Sequence, residues 1–99
     1  MIRKLALRCL VQLGNRNSQI APVIDEVIRK NQLSEADRRL LTEIVYGTIR
    51  WQGHLDWIIQ QFIKSGFQLD LQMSYILRVG VYQLLYLDKI PNHAAINET

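Results

Sequence analysis

The sequence contains one cysteine, two prolines and five glycines in 99 residues. With Cys9 alone, no intrachain disulfide and no thiolate zinc site can form. Its position on an apolar helical face indicates a small buried hydrophobe rather than a nucleophile. So little proline and glycine argues against disorder and against a turn-rich all-β fold. A reducing, cytoplasmic compartment is the location we expect from this cysteine usage.

The chain also lacks the motifs on which catalysis and cofactor binding usually depend. It has no glycine-rich phosphate loop, no His-Glu-x-x-His pair and no carboxylate cluster with metal-ligand spacing. His54 and His93 are isolated, which indicates surface or capping residues. No uncharged run approaches the roughly 18 residues of a membrane span, and early charges interrupt any signal peptide. We therefore expect no catalytic residue, no metal site, no cofactor and no membrane partner for these 99 residues.

The sequence is rich in the 3.6-residue period of amphipathic helices. Apolar residues recur at this spacing over five segments, at about 2–13, 19–30, 34–50, 55–63 and 71–87. No alternating strand pattern of any length is present. We predict an all-α helical bundle of at least five helices in one domain, with short loops joining antiparallel neighbours.

Local residues mark where these helices begin and end. The predicted N-caps are Ser18, Ser34 and Asp70, and Asn92 caps the start of a sixth helix. Gly14-Asn15 is predicted to stop the first helix, and 51–53 to break the third from the fourth. The restart after Pro91 is followed by very few residues. The chain is therefore expected to be a piece, over residues 1–99, of a longer protein.

Six residues of the third and fifth helices are candidates for packing or for an interface. A helix-interior glycine costs about 1 kcal/mol relative to alanine, which favours a close helix approach at such a position. Aromatic rings beside arginine can stack on nucleobases, while core packing is the alternative. The six candidates are Tyr46, Gly47, Arg50, Gly80, Tyr82 and Tyr86.

Positive charge is concentrated at the start of the chain. The formal net charge is +3, yet residues 1–16 carry four basic residues and no acidic one, since the first acid is Asp25. Lys4 and Arg8 share a helical face, with Arg3 beside them. Such a cluster suits phosphate contacts, although a solvated helix face explains it equally well. The candidate RNA-binding residues are Arg3, Lys4, Arg8 and Arg16.

Three separated segments of the chain resemble a known family. Residues 33–51 contain DRRLLTEIVYGTIR from Asp37 to Arg50. This stretch resembles the pattern D-R-x-L-x-x-x-x-x-Y-G-x-x-R of NusB-like domains. Residues 77–85 and 90–98 look like the matching later helices, in the same order and spacing. The resemblance covers nearly the whole chain and implies a NusB-like helical bundle.

Two branches share that fold. One is the free-standing NusB antitermination factor, which binds boxA RNA together with a ribosomal protein. The other is the N-terminal domain of the Sun/RsmB (Fmu) ribosomal RNA methyltransferases, which make 5-methylcytosine with S-adenosylmethionine. The run from Tyr46 to Trp51 with Leu55-Asp56 looks more like the methyltransferase branch.

This resemblance implies an RNA-binding accessory domain whose partners are ribosomal RNA and its own catalytic domain. The catalytic cysteines and the S-adenosylmethionine site of that family lie in a later domain, outside this sequence. Arg3, Lys4 and Arg8 occupy the region of the arginine-rich helix that contacts RNA in the antitermination branch. A third possibility is a protein-interaction or dimerisation bundle, whose contact surface would contain Gly47, Gly80, Tyr82 and Tyr86.

Overall fold

The computed structural model describes residues 1–16, 19–63, 66 and 68–87, and their side chains except those of Asn15 and Arg16. The described residues form five α-helices and no strand, which confirms the all-α prediction. A π-helical turn, Gln83–Leu87, continues the last helix. The helices are α1 (Ile2–Arg16), α2 (Ile20–Asn31), α3 (Glu35–Arg50), α4 (Gln52–Phe62) and α5 (Leu71–Tyr82).

Two of the predicted N-caps are confirmed by their hydrogen bonds. The Ser34 hydroxyl accepts from the backbone N–H of Asp37 at 3.2 Å. The Asp70 carboxylate accepts from the backbone N–H of Met73 at 2.7 Å. Each bond satisfies one of the free N–H groups that every helix start exposes. Ser18 and Asn92 lie outside the described residues, and the N-cap position of α2 is Gln19, which makes no side-chain cap bond.

The predicted stop at Gly14-Asn15 is wrong, because α1 continues to Arg16. Gly14 instead lies where α1 passes close to α5. A Cβ added at Gly14 would collide with the hydroxyl of Tyr75, which is a largely buried residue of α5. The missing side chain therefore permits a close helix–helix contact.

The core is built from the apolar stripes that the periodicity predicts. Helix α5 packs against α1, α3 and α4, and α1 also packs against α2 and α3. Burying a side chain of leucine or isoleucine size contributes about 1.5–3 kcal/mol. The most deeply buried side chains are Ala6, Cys9, Leu41, Ile44, Val45 and Leu55, each 0% exposed.

Of the two glycines predicted to bring helices together, Gly47 does so and Gly80 does not. A Cβ at Gly47 would collide with the ring of Tyr82, so α3 and α5 pack through this pair. Among the described residues, a Cβ at Gly80 would meet no atom within 4 Å. Gly80 lines a surface hollow, where a side chain would have open space.

One ion pair joins α4 to α5. The Arg78 guanidinium donates to both oxygens of Asp56, at 2.7 and 2.9 Å. The Arg78 side chain is 13% exposed and its guanidinium lies 5.4 Å from the ring centroid of Tyr75. A partly buried guanidinium with two charge-assisted bonds fixes the angle between the two helices more firmly than a surface pair would.

Candidate nucleic-acid interface

Three basic residues of α1 lie along the line where α1 packs against α5. This surface is here called the cationic seam and is defined by Arg3, Lys4 and Arg8. Lys4 and Arg8 line a groove of about 580 Å³ whose α5 wall includes Tyr75 and Ile76. Arg3 lines an adjoining hollow of about 390 Å³ that also contains Ile76. The two spaces share Ile76, so the three predicted residues lie along one continuous strip of surface.

The charges of the seam are not neutralised within the described part of the chain. The described residues form three ion pairs, Lys30–Glu26, Arg39–Glu35 and Arg78–Asp56. None of these pairs involves a residue of the seam. All three seam residues are exposed. An exposed cation without an internal partner keeps its full charge for an anionic ligand.

Arg16 is the last residue of α1, and its side chain lies outside the described residues. Its backbone lies eight residues beyond Arg8, which is roughly 12 Å along a helix. Its predicted RNA contact therefore stays a prediction.

A second surface, here called the aromatic hollow, is formed by α3, the α3–α4 junction and α5. It has a volume of about 460 Å³. Four of the predicted packing or interface residues come together there. Ile49 belongs to the predicted apolar face of the third helix, Trp51 to the predicted break at 51–53, and Glu43 had no predicted role. The lining residues are Glu43, Tyr46, Gly47, Ile49, Arg50, Trp51 and Tyr82.

A row of stacked rings fixes one side of this hollow. Tyr82 stacks on Tyr86 with ring centroids 5.2 Å apart, and Tyr86 stacks on Trp51 at 5.5 Å with an interplanar angle of 13°. His54 meets Trp51 edge-on at 6.5 Å and lies parallel to the ring of Trp57. His54, predicted to be isolated, therefore belongs to the row. The spacing of three residues between Trp51, His54 and Trp57 was the signal for it.

Two charged residues of opposite sign flank Tyr82 in the hollow. Burial raises the pKa of the Tyr82 hydroxyl above its usual 10.0, and the nearby Glu43 and Tyr86 raise it further, while Arg50 lowers it. Tyr82 therefore remains a neutral hydrogen-bond donor near pH 7. Neither Glu43 nor Arg50 forms an ion pair with any described residue.

The described residues contain no group of three side chains able to hold a metal ion. Within the same residues, no helix has both the length and the hydropathy needed to cross a membrane. The Cys9 thiol is fully buried, and burial raises its pKa to about 11, so it is protonated at neutral pH.

Fold and surface together define a small all-α bundle domain with a cationic seam and an aromatic hollow. The NusB family profile matches residues 1–99, and the chain belongs to the NusB family. The resemblance inferred from the sequence is thus confirmed.

The chain is also similar to proteins named as methyltransferases. It is 37% identical over 97 residues to a probable ribosomal RNA small subunit methyltransferase B of Bacillus subtilis, covering 98% of this chain and 22% of that protein. A probable methyltransferase of the same name from Synechocystis is 38% identical over 96% of this chain and 22% of its own length. The enzyme of Proteus mirabilis is 36% identical over 99% of this chain and 23% of its own length.

The chain thus spans less than a quarter of the length of these curated relatives. No solved structure matches it.

Proposed function

We propose that this chain is an RNA-binding accessory domain that holds ribosomal RNA for a methyltransferase domain outside these 99 residues. The cationic seam carries the proposal, because it places three exposed cations on one strip of surface, and none of them forms an ion pair with a described residue. The relatives named as ribosomal RNA methyltransferases support the choice of RNA as the ligand. Their names also favour this branch over a free-standing antitermination factor.

The seam is suited to hold RNA by its phosphates. Lysine and arginine contacts to phosphate fix the position of a strand without reading its sequence. Leu7 and Ile76 give the groove apolar walls beside Lys4 and Arg8. We therefore expect affinity with little dependence on sequence from this surface, and a marked dependence on salt.

The methyl transfer itself belongs to residues outside this chain. The glycines at 47, 53, 66 and 80 are dispersed rather than gathered in a glycine-rich loop, and we place the S-adenosylmethionine site in the domain outside this chain. The cofactor, formation of 5-methylcytosine, a catalytic domain as intramolecular partner and a cytoplasmic location are parts of the same proposal. A ribosomal protein partner stays a prediction of the resemblance.

The test is binding of a fluorescent single-stranded RNA, followed by anisotropy over a range of salt concentrations. Arg3→Ala, Lys4→Ala and Arg8→Ala should each weaken binding and reduce the slope of log K against log salt by about 0.7 per lost contact. Arg29→Ala is the matched control, because Arg29 is an exposed arginine of α2, outside the seam, and forms no ion pair with a described residue. Equal effects of Arg8→Ala and Arg29→Ala would show that only net charge matters and would remove the proposal.

A further inference from the structure

We infer that the aromatic hollow holds one unpaired nucleobase of the bound RNA, stacked on Trp51, with Glu43 and Arg50 facing the edge of the base. The inference rests on the proposed function and adds a second point of contact, which selects a base rather than a phosphate.

The first support is the geometry of Trp51. Tyr86 covers one face of the indole, and Tyr86 is itself backed by Tyr82, which is 5% exposed and held against Gly47. Trp51 nevertheless remains 42% exposed. A flat ring that is already oriented and partly open loses little conformational freedom when a ligand stacks on it. Base stacking on such rings is the usual way in which proteins hold single-stranded RNA.

The second support is the pair of charges in the hollow. Glu43 offers only acceptors and Arg50 offers only donors, and neither is used in an ion pair with a described residue. The two lie seven residues apart, hence two turns apart on one face of α3. A base that carries both an amino group and a carbonyl group complements such a pair. Cytosine and guanine have both groups, whereas adenine has no carbonyl.

The same charges argue against other occupants. A phosphate in the hollow would be attracted by Arg50 but repelled by the Glu43 carboxylate, so the hollow offers the RNA backbone no net charge attraction of the kind that the seam offers. The buried centre of a protein interface is depleted of charged residues, and glutamate is among the residues that interfaces disfavour. A nucleobase is neutral, so the Glu43 carboxylate does not repel it, and its polar edges can face charged side chains.

The hollow and the cationic seam lie on different sides of α5. At 100° per residue, Tyr82 lies about 120° around the helix from Ile76, which lines both spaces of the seam. The two surfaces share no lining residue. Their contributions to RNA binding should therefore be separable by mutation.

Two single-tryptophan variants report on the hollow directly. Trp57→Phe leaves Trp51 as the only indole, and Trp51→Phe leaves Trp57, which is 62% exposed. Each 99-residue variant is titrated with oligocytidylate, with oligoadenylate and with an abasic phosphodiester of equal length. We expect oligocytidylate to quench Trp51 strongly and Trp57 little, and the abasic strand to quench neither.

Affinity measurements provide the second readout. Trp51→Leu should weaken oligocytidylate binding about 5- to 100-fold and leave binding of the abasic strand unchanged. Phe62→Leu is the matched control, because Phe62 is an 85% exposed aromatic residue outside the row of rings, and it should change neither. Glu43→Gln should reduce the preference for oligocytidylate over oligoadenylate. Circular dichroism of each variant verifies that the helices are intact.

The outcomes separate this inference from the proposed function. If none of the three strands binds, the proposed function fails and the inference fails with it. If all three strands bind, but the fluorescence of Trp51 is not quenched and Trp51→Leu does not change the affinity, the inference is overturned while the proposed function stands. If sizing shows self-association that Trp51→Leu abolishes, with RNA binding unchanged, the hollow is a protein contact and the inference is likewise overturned.

Discussion

Replacing Gly47 by alanine should leave the domain at most as stable as the wild type, although the same change at Gly80 should stabilise it. Both glycines lie inside helices, α3 and α5, where alanine is favoured by about 1 kcal/mol. The difference lies in what the new methyl group meets. At Gly80 it meets no atom of the described residues within 4 Å, and at Gly47 it overlaps the ring of Tyr82.

The size of the effect at Gly47 follows from how firmly Tyr82 is held. The overlap involves ring carbons as well as the hydroxyl, so a small rotation of the hydroxyl does not relieve it. The ring is 5% exposed and stacks on Tyr86. Overpacking of this kind costs about 1–3 kcal/mol. The free energy of unfolding of Gly47→Ala should therefore lie about 1–3 kcal/mol below that of Gly80→Ala, since both variants gain the same helix propensity.

Thermal unfolding followed by circular dichroism measures this difference. For a domain of this size, 1 kcal/mol shifts Tm by about 4–8 °C, so Gly80→Ala should melt above the wild type and Gly47→Ala at or below it. In a Tyr82→Leu background, which removes the ring, Gly47→Ala should lose its penalty. Equal stabilisation by Gly47→Ala and Gly80→Ala would show that the ring has room and would refute the reasoning.

Three further predictions concern buried or partly buried polar groups. The Thr48 hydroxyl is buried without a hydrogen-bond partner among the described residues, so Thr48→Val should raise the free energy of unfolding by about 1 kcal/mol in urea titrations. Asp56→Ala should lower the free energy of unfolding by about 1.5–3 kcal/mol, because Arg78 would lose both charge-assisted bonds. A loss below about 0.5 kcal/mol would show that this ion pair does not stabilise the packing of α4 on α5. Burial raises the pKa of the Cys9 thiol from 9.0 to about 11, so the unfolded state ionises first and stability should fall between pH 9 and 11 by up to about 3 kcal/mol. Cys9→Ala should remove that part of the fall, as pH-dependent melts will show.

Helix positions were predictable because they depend on local patterns. The apolar period placed the five helices, and the caps at Ser34 and Asp70 are set by residues three positions away. The end of α1 was not predictable in this way. Gly14 favours a helix stop locally, but the contact with Tyr75, a residue 61 positions later, keeps it inside the helix.

The candidate sites were predictable in composition and only partly in arrangement. The i, i+4 spacing of Lys4 and Arg8 placed them on one face of α1, which the structure shows as one wall of a groove. The stack of Trp51 on Tyr86 joins the α3–α4 junction to the π-helical turn after α5, and no local spacing encodes it. The same holds for the pair of Asp56 with Arg78. Gly80 was misjudged because a glycine in a helix does not by itself reveal whether a neighbour is near.

Trp51 is the only residue between α3 and α4, and its backbone links both. Its N–H donates to the carbonyl of Gly47 at 3.0 Å, and its carbonyl accepts from the N–H of Leu55 at 2.8 Å. Because a single residue joins the two helices, one inserted residue would turn α4 by about 100° about its axis. Leu55 would swing out of the interior and Asp56 away from Arg78. Insertions and deletions in related domains should therefore avoid the junction between α3 and α4, and engineered loops should be inserted elsewhere.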